Sequence, residues 1–146
     1  MLVLDANILI RAVVGTRVPS LLRKYAGQGE FFAPDSAFRE AREKLPIILE
    51  RRAMRVAPGL TTLGALCELV LTVEFETYAP TEALARQAPR PPREDDWPVL
   101  ASALVLGYPI WTEDTDFSVC GVATWTTDRV EPYLGIDIVD TTTMKV

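Results

Sequence analysis

Apolar and polar residues follow one another along this chain in a pattern that predicts strands separated by helices. Residues 1–5 form an apolar run typical of a central parallel strand, and residues 7–14 predict a short apolar helix. A second, amphipathic helix is predicted to run to Gly27 or Gly29, because its apolar residues recur at helical spacing: Val18, Leu21, Leu22 and Tyr25. Residues 31–33 predict the next short strand.

The middle of the chain predicts helices on both sides of a third strand. Apolar residues at helical spacing extend from residue 37 to Arg52, with a kink or a break expected at Pro46. After a break at Pro58 and Gly59, three elements are predicted in order: a helix over 60–71, a strand over 72–77 and a helical segment over 81–87.

The last third of the chain continues this alternation. Residues 89–93 predict a stiff extended loop, and Asp95 or Asp96 starts a helix that ends before Gly107. Three further elements are predicted: a strand over 109–111, a short helix from residue 127 and a last strand over 136–139. This alternation predicts an α/β fold, a three-layer α/β/α sandwich with a mostly parallel central sheet, in a single domain over residues 1–146.

The chain contains no histidine, which removes several classes of catalytic site. Ser-His-Asp and Cys-His hydrolases, histidine-ligated zinc sites and imidazole acid–base chemistry are all excluded. Any catalysis must therefore use carboxylates, hydroxyls, Lys, Arg or a bound ion. The two cysteines, Cys67 and Cys120, are far apart in sequence and lie among apolar residues, so both are predicted to be buried free thiols.

The net charge of −5 argues at first against a nucleic-acid partner. Basic residues are nevertheless concentrated between Arg39 and Arg55 and again around Arg93, and two divalent ions would nearly neutralise the chain. Arg39, Arg42 and Arg93 are candidate RNA contacts; a solvated charged surface is the alternative. No apolar run approaches the ~20 residues of a membrane span, and the start of the chain does not resemble a signal peptide, so we expect a cytoplasmic protein.

Acidic residues follow apolar runs at three widely separated places. Asp5 ends the first strand, Asp96 opens a helix, and Asp114 and Asp116 lie in the loop after the strand over 109–111. Positions just past the strand ends of such a fold converge on one crevice, so these carboxylates are candidate ligands of one metal site. Helix capping is the alternative for Asp5 and Asp96, and an ordinary acidic turn for the other two.

Glu40 and Glu43 lie on different sides of the helix that begins near residue 37. At about 100° per residue, Glu40 falls at the border of the apolar stripe and Glu43 in solvent. Periodicity alone therefore favours an ion pair between Glu40 and Lys44 over a catalytic role for Glu40.

Carboxylates gathered in one crevice repel each other unless cations compensate their charge. Mg²⁺ or Mn²⁺ suits ligands that are all oxygens, and two such ions ~3.5–4 Å apart can activate a water and stabilise the leaving oxygen in phosphodiester cleavage. This chemistry needs no histidine. The expected cofactor is therefore one or two Mg²⁺ or Mn²⁺ ions.

Four segments of the chain together resemble PIN-domain ribonucleases of the VapC-like toxin family. They are LDAN at 4–7, AFREA at 37–41, DDWPVLASA at 95–103 and WTEDTDF at 111–117, and they occur in the order of the family. The resemblance covers essentially the whole domain. It implies a parallel sheet flanked by helices and a divalent-metal site that hydrolyses RNA.

Carried over position by position, the resemblance implies four catalytic acids: Asp5, Glu40, Asp96 and Asp114. The implied metal ligands are Asp5, Asp96, Asp114 and Asp116. Asn7 and Thr112 would orient these carboxylates. Two choices of direct ligand stay open: Glu40 or Glu43, and Asp114 or Asp116. The resemblance also implies a small antitoxin that blocks the groove, often through an Arg, and a homodimer.

Other functions fit the sequence less well. A haloacid-dehalogenase-like phosphatase requires Asp-x-Asp after the first strand, whereas this chain has Asn7 two residues after Asp5. A nucleotide-binding Rossmann domain would need a glycine-rich turn at the same place. A PIN fold that serves as a non-catalytic RNA-binding or assembly module is the remaining alternative. Trp125 is expected in the core rather than at an interface.

Overall fold

Five parallel strands form the centre of the protein. The structure is a computed structural model that describes residues 1–27, 30–88, 92–117 and 120–144, without the side chains of Asp116 and residues 136–144. The strands are β1 (Leu2–Leu4), β2 (Phe31–Pro34), β3 (Val70–Val73), β4 (Ile110–Trp111) and β5 (Thr124–Trp125). They form one sheet in the order β3-β2-β1-β4-β5, and every described strand pair is parallel.

Helices and short 3-10 turns connect the strands. In chain order the helices are α1 (Ala6–Val14), α2 (Arg17–Tyr25), α3 (Asp35–Arg51), α4 (Val56–Ala65), α5 (Phe75–Tyr78), α6 (Glu82–Arg86), α7 (Trp97–Leu106) and α8 (Thr127–Met144). The 3-10 turns are Leu66–Glu68, Ala79–Thr81 and Thr115–Phe117. Within the described residues, none of the helices is long and apolar enough to cross a membrane.

Two hydrophobic cores lie on opposite faces of the sheet, because neighbouring strand residues point to opposite sides. Leu2 and Leu4 of β1 pack with α1 to α4 and α8, whereas Val3 packs with α5, α6 and α7. Trp111 and Ile110 of β4 divide between the two cores in the same way. The sheet is therefore covered by helices on both faces, which confirms the three-layer α/β/α fold.

The order of the strands creates a crevice beside β1. The chain moves outward from β1 to β2 and β3, and then returns to place β4 on the other side of β1. Ligand sites in open parallel sheets lie at such a reversal of strand order, outside the carboxyl ends of the strands. The backbone N–H of Asp5 donates to Trp111 O at 3.1 Å, so the ends of β1 and β4 meet there.

The region after α3 differs from the sequence prediction. Pro58 and Gly59 were predicted to form a break, but both lie inside α4, and the strand predicted over 72–77 is instead β3 at Val70–Val73 followed by α5. Pro58 is tolerated because it lies in the first turn of α4, where its missing N–H has no helical partner to lose. Helix α3 runs through Pro46 as one element.

The C-terminal strand was predicted at the wrong place. Residues 136–139 belong to α8, and the fifth strand is Thr124–Trp125, where Trp125 is half-buried and stacks on Tyr133 with a centroid distance of 5.3 Å. Three of the four residues in 136–139 are β-branched, and such a short segment fits a strand or a helix. Cys120 is buried as predicted, but Cys67 is exposed, so the prediction of a second buried thiol was wrong; both thiols are free.

Candidate active site

Asp5 lies directly after β1, at the N-terminal end of α1, and only 4% of its surface is exposed. Its Oδ1 accepts a hydrogen bond from the Ala6 N–H at 2.7 Å, and its Oδ2 accepts from Asn7 Nδ2 and Thr112 Oγ1, each at 2.9 Å. A carboxylate has about four lone pairs, so roughly one acceptor position remains for a cation. Asp5 thus contributes to the helix cap and still has capacity for a ligand.

Thr112 and Asn7 connect Asp5 to the loop that follows β4. The buried Thr112 hydroxyl donates to Asp5 and accepts from the backbone N–H of Asp114 at 2.9 Å and from Asn7 Nδ2 at 3.2 Å. Asn7 Oδ1 accepts from the Glu113 N–H at 3.2 Å. The two residues predicted to orient the acids are therefore hydrogen-bonded to Asp5 and to the backbone beside Asp114.

Glu40 reaches the same region from the first half of α3. Its side chain is 23% exposed, and its Oε1 accepts a hydrogen bond from Lys44 Nζ at 3.0 Å, one helical turn away. Glu43 is exposed and lines a neighbouring cavity instead. The ion pair expected from periodicity therefore exists. The same glutamate also lines a cavity with Asp5, Asp96 and Asp114, the carboxylate cavity.

Asp96 occupies the N-cap position of α7, yet its side chain makes no capping hydrogen bond within the described part of the helix. It is half-buried. Burial, together with the nearby charges of Asp5, Asp114 and Glu40, raises the pKa of Asp96 to about 7, against the opposing effect of Arg93. Capping therefore does not explain why an acid stands at this position.

The four acids that were predicted to be catalytic line one cavity of about 170 Å³: Asp5, Glu40, Asp96 and Asp114. Asp114 is half-buried, and Asp95, exposed beside Asp96, lines the cavity as well. Burial first, and then the charges of Glu40 and Asp114, raise the pKa of Asp5, while its hydrogen bonds from Thr112 and Ala6 oppose the shift. Asp116 lies in the 3-10 turn Thr115–Phe117, and its side chain is outside the described residues.

The donor set of this cavity fits a divalent cation bound partly through water. All its acidic donors are oxygens, and their mutual repulsion favours a positive ion. Among the described residues, however, no three acidic or Cys side chains are grouped so that they could hold one metal ion as they stand. Mg²⁺ usually keeps several waters and binds one or two protein carboxylates, which this arrangement can supply.

The family model of the PIN domain matches residues 3–135. The chain belongs to the PIN domain family. A search of curated proteins found no match.

Three solved structures are similar to this chain along most of its length. A chain of VapBC2 from Rickettsia felis, bound to promoter DNA, aligns at a TM-score of 0.63 and 11% identity, over 85% of this chain and 96% of that one. A toxin–antitoxin complex from Klebsiella pneumoniae aligns at a TM-score of 0.58, and FitAcB from Neisseria gonorrhoeae at a TM-score of 0.54. Both are 19% identical to this chain, and both alignments cover 87% of this chain and 98% of the other. These similarities establish the fold.

Two of the three basic residues proposed to contact RNA lie at the carboxylate cavity or at its neighbour. Arg93 lines the cavity, and Arg39 lines the neighbouring cavity of about 350 Å³ that shares Glu40, Lys44 and Asp95 with it. Arg42 is exposed on α3 and is not among the described residues that line either cavity. Arg39 and Arg93 therefore lie near the acids, whereas Arg42 lines neither cavity.

Two charged residues that line this cavity were not predicted as part of the site. Lys44 was interpreted only as a surface partner of Glu40, and Asp95 only as a helix start, yet both line the cavity. The i,i+4 spacing of Glu40 and Lys44 was a usable signal. Once Glu40 is placed at the site, Lys44 must follow, because residues one turn apart share a helix face.

Proposed function

We propose that this protein is a divalent-metal-dependent endoribonuclease that hydrolyses RNA phosphodiester bonds, and that it is the toxin of a toxin–antitoxin pair. The convergence of Asp5, Glu40, Asp96 and Asp114 on one cavity carries the proposal. These acids come from four separate segments of a PIN domain that has no histidine, so a carboxylate-bound ion is the chemistry that the chain can support.

Asp5, Asp96 and Asp114 are the proposed holders of one or two Mg²⁺ or Mn²⁺ ions, with Asp116 as a further candidate. When bound, the metal supplies an activated water and stabilises the leaving oxygen. Thr112 and Asn7 fix the Asp5 carboxylate by donating to its Oδ2, and Asp5 keeps acceptor capacity on the cavity side. Glu40, less buried than Asp5, is the proposed fourth catalytic acid.

The proposed partners follow from the charge of the cavity and from the structural relatives. Five acids line the cavity, against Lys44 and Arg93. A small antitoxin that inserts an arginine would complement this charge and block substrate entry. One of the three similar structures is a toxin–antitoxin complex, from Klebsiella pneumoniae, which supports such a partner. Homodimerisation and a cytoplasmic location belong to the same proposal.

RNA cleavage by the purified protein is the direct test. We expect a panel of single-stranded and structured RNAs to be cut with Mg²⁺ or Mn²⁺ and to stay intact with EDTA. Asp5→Asn and Asp96→Asn each remove one negative charge at nearly constant shape and should lower the cleavage rate at least ~100-fold, because weakened metal binding removes the activated water. Circular dichroism and thermal melting establish that both variants are folded.

A matched pair of variants separates Glu40 from Glu43. Both lie on α3, but only Glu40 lines the carboxylate cavity, so Glu40→Gln should impair cleavage and Glu43→Gln should not. Cleavage that persists in EDTA, or full activity in both Asp variants, would contradict the proposal. RNA binding without cleavage would favour the non-catalytic module, whose supporting observation is that no three described acids form a ready metal site.

A further inference from the structure

Lys44 stands between the two cavities described above. It lines the carboxylate cavity and, with Glu40 and Asp95, the neighbouring one. Its Nζ lies 3.0 Å from Glu40 Oε1, with 60% of the lysine side chain and 23% of the glutamate side chain exposed. The ion pair is therefore located where the carboxylate cavity opens to solvent.

The ammonium group of Lys44 compensates more than one carboxylate. The pKa of Lys44 is raised mainly by its hydrogen bond to Glu40. The charges of Glu40, Asp96 and Asp95 raise it further. All three of these acids line the carboxylate cavity. Lys44 thus supplies positive charge to the acids that a divalent ion would otherwise have to neutralise.

We propose that Lys44 is an internal counter-cation that competes with the divalent ion and so sets the metal affinity of the site. The proposal rests on the metal-dependent function proposed above. The ammonium 3.0 Å from Oε1 occupies one acceptor position of Glu40, and two cations held at the same acids repel each other. Binding of the ion therefore opposes the Lys44–Glu40 pair, and Lys44 acts as a positioning residue through Glu40.

Removal of the lysine charge should accordingly tighten metal binding. Lys44→Met keeps the length and apolar character of the side chain but removes the ammonium. We expect Mn²⁺ to bind the variant about tenfold more tightly than the wild-type protein, because repulsion of a divalent ion outweighs the small stabilisation from an exposed ion pair. Lys44→Arg keeps the charge and should restore the affinity to within about twofold of wild type.

Lys24 provides a matched control on α2. Its Nζ lies 2.9 Å from Glu131 Oε2, and 62% of its side chain is exposed, so the pair has nearly the distance and exposure of Lys44, but neither of its residues lines the carboxylate cavity. Lys24→Met should leave the Mn²⁺ affinity unchanged. A general effect of net charge would shift both methionine variants equally and would overturn the proposal.

The experiment measures Mn²⁺ binding to the full chain by calorimetry and by the paramagnetic resonance signal of free Mn²⁺, without RNA. In the Glu40→Gln background, the effect of Lys44→Met should shrink to less than about threefold, because the shared carboxylate is gone. If the wild-type protein binds Mn²⁺ and Lys44→Met binds it equally or more weakly, the role of Lys44 is overturned while the metal-dependent function stands. Absence of Mn²⁺ binding by every variant would overturn the metal-dependent function as well.

A role of Lys44 in holding substrate is a separate outcome of the same variants. Anisotropy of a labelled single-stranded RNA in Ca²⁺, with a gel to verify that the RNA is intact, measures RNA affinity. Unchanged Mn²⁺ affinity combined with weakened RNA binding by Lys44→Met would assign the ammonium to an RNA phosphate and would overturn competition with the metal. Tighter Mn²⁺ binding, with or without a change in RNA affinity, supports the proposal.

Discussion

At the scale of single residues, the hydroxyl group of Thr112 organises the candidate site. It donates to Asp5 Oδ2 and accepts from the backbone N–H of Asp114 and from Asn7 Nδ2, all in a buried position. Loss of this one oxygen would remove three hydrogen bonds at once, although Asp5 Oδ2 and Asn7 Nδ2 would keep the bond to each other. A buried polar group that loses a hydrogen bond in this way costs about 1–3 kcal/mol.

Replacement of Thr112 by valine tests this role. Thr112→Val keeps the shape of the side chain and should lower the free energy of unfolding by ~1–3 kcal/mol. Thr112→Ser keeps the hydroxyl and should lose less, about 1 kcal/mol for the missing methyl group. Urea denaturation in EDTA measures both variants. If the valine variant proves as stable as the serine variant, the hydroxyl network does not carry this energy.

Which acids belong to the site could be inferred only in part from the sequence. Asp5 and Asp114 follow strands, so the rule that strand ends converge is enough to bring them together. The position of Glu40 depends on how α3 packs beside α1 and α7, which helix periodicity does not contain. Periodicity put Glu40 at a border, and the structure shows a half-buried side chain that binds Lys44 and still lines the cavity.

At the scale of elements, α3 and α4 approach closely at Gly59. A Cβ atom added to Gly59 would lie 2.4 Å from Leu49 Cδ1, and Leu49 is completely buried. The glycine that the sequence presents as a helix breaker is therefore a contact point between two helices. Sequence patterns miss this use of glycine because the partner is distant along the chain.

Two alanine substitutions in α4 should have opposite effects. Gly64 is exposed, and a Cβ atom there meets no described atom within 4 Å, so Gly64→Ala should stabilise the protein by up to ~1 kcal/mol through helix propensity. Gly59→Ala should instead destabilise it by ~1–3 kcal/mol, since Leu49 must leave its place in a packed core. Thermal and urea unfolding compare the two. Equal stabilisation by both would disprove the close contact.

The C-terminal elements show where local patterns stop being informative. Strand β5 has two residues, both half-buried, so it offers no alternation to detect. Helix α8 starts at Thr127, whose N–H donates to Glu113 Oε1 at 2.7 Å, and this cap comes from the loop after β4. The start at residue 127 was predicted from the sequence, but the continuation through residues 136–139 was not, because that short run fits a strand as well as a helix.

At the scale of the whole molecule, the fold class could be predicted because alternation of strands and helices leaves few topologies. The placement of β4 beside β1, which creates the crevice, required the structure. The same crevice concentrates the acids, and their collective charge affects the stability of the entire domain. The chain lacks histidine, so no imidazole titrates near neutral pH beside Asp96, whose pKa is raised to about 7.

The stability of the metal-free protein should fall as the pH rises from about 4.5 to 7.5. Burial and neighbouring acids raise the pKa of Asp96 from 3.8 to about 7 and also raise that of Asp5. The folded state then binds more protons than the unfolded state in this window, and the free energy of unfolding decreases with pH. Lys24 lowers the pKa of Glu131 to about 2. This group makes the free energy of unfolding rise with pH, but only below about pH 4.5.

Urea denaturation in EDTA over this pH range measures the slope, and Asp96→Asn should remove most of it, since asparagine does not titrate. Mg²⁺ or Mn²⁺ should then stabilise the wild-type protein more at pH 7.5 than at pH 5, because ionised carboxylates bind the ion and protonated ones do not. A stability that is flat or rises with pH in EDTA would show that the acids do not repel one another in the folded protein. Equal stabilisation by metal at both pH values would show that the ion binds elsewhere.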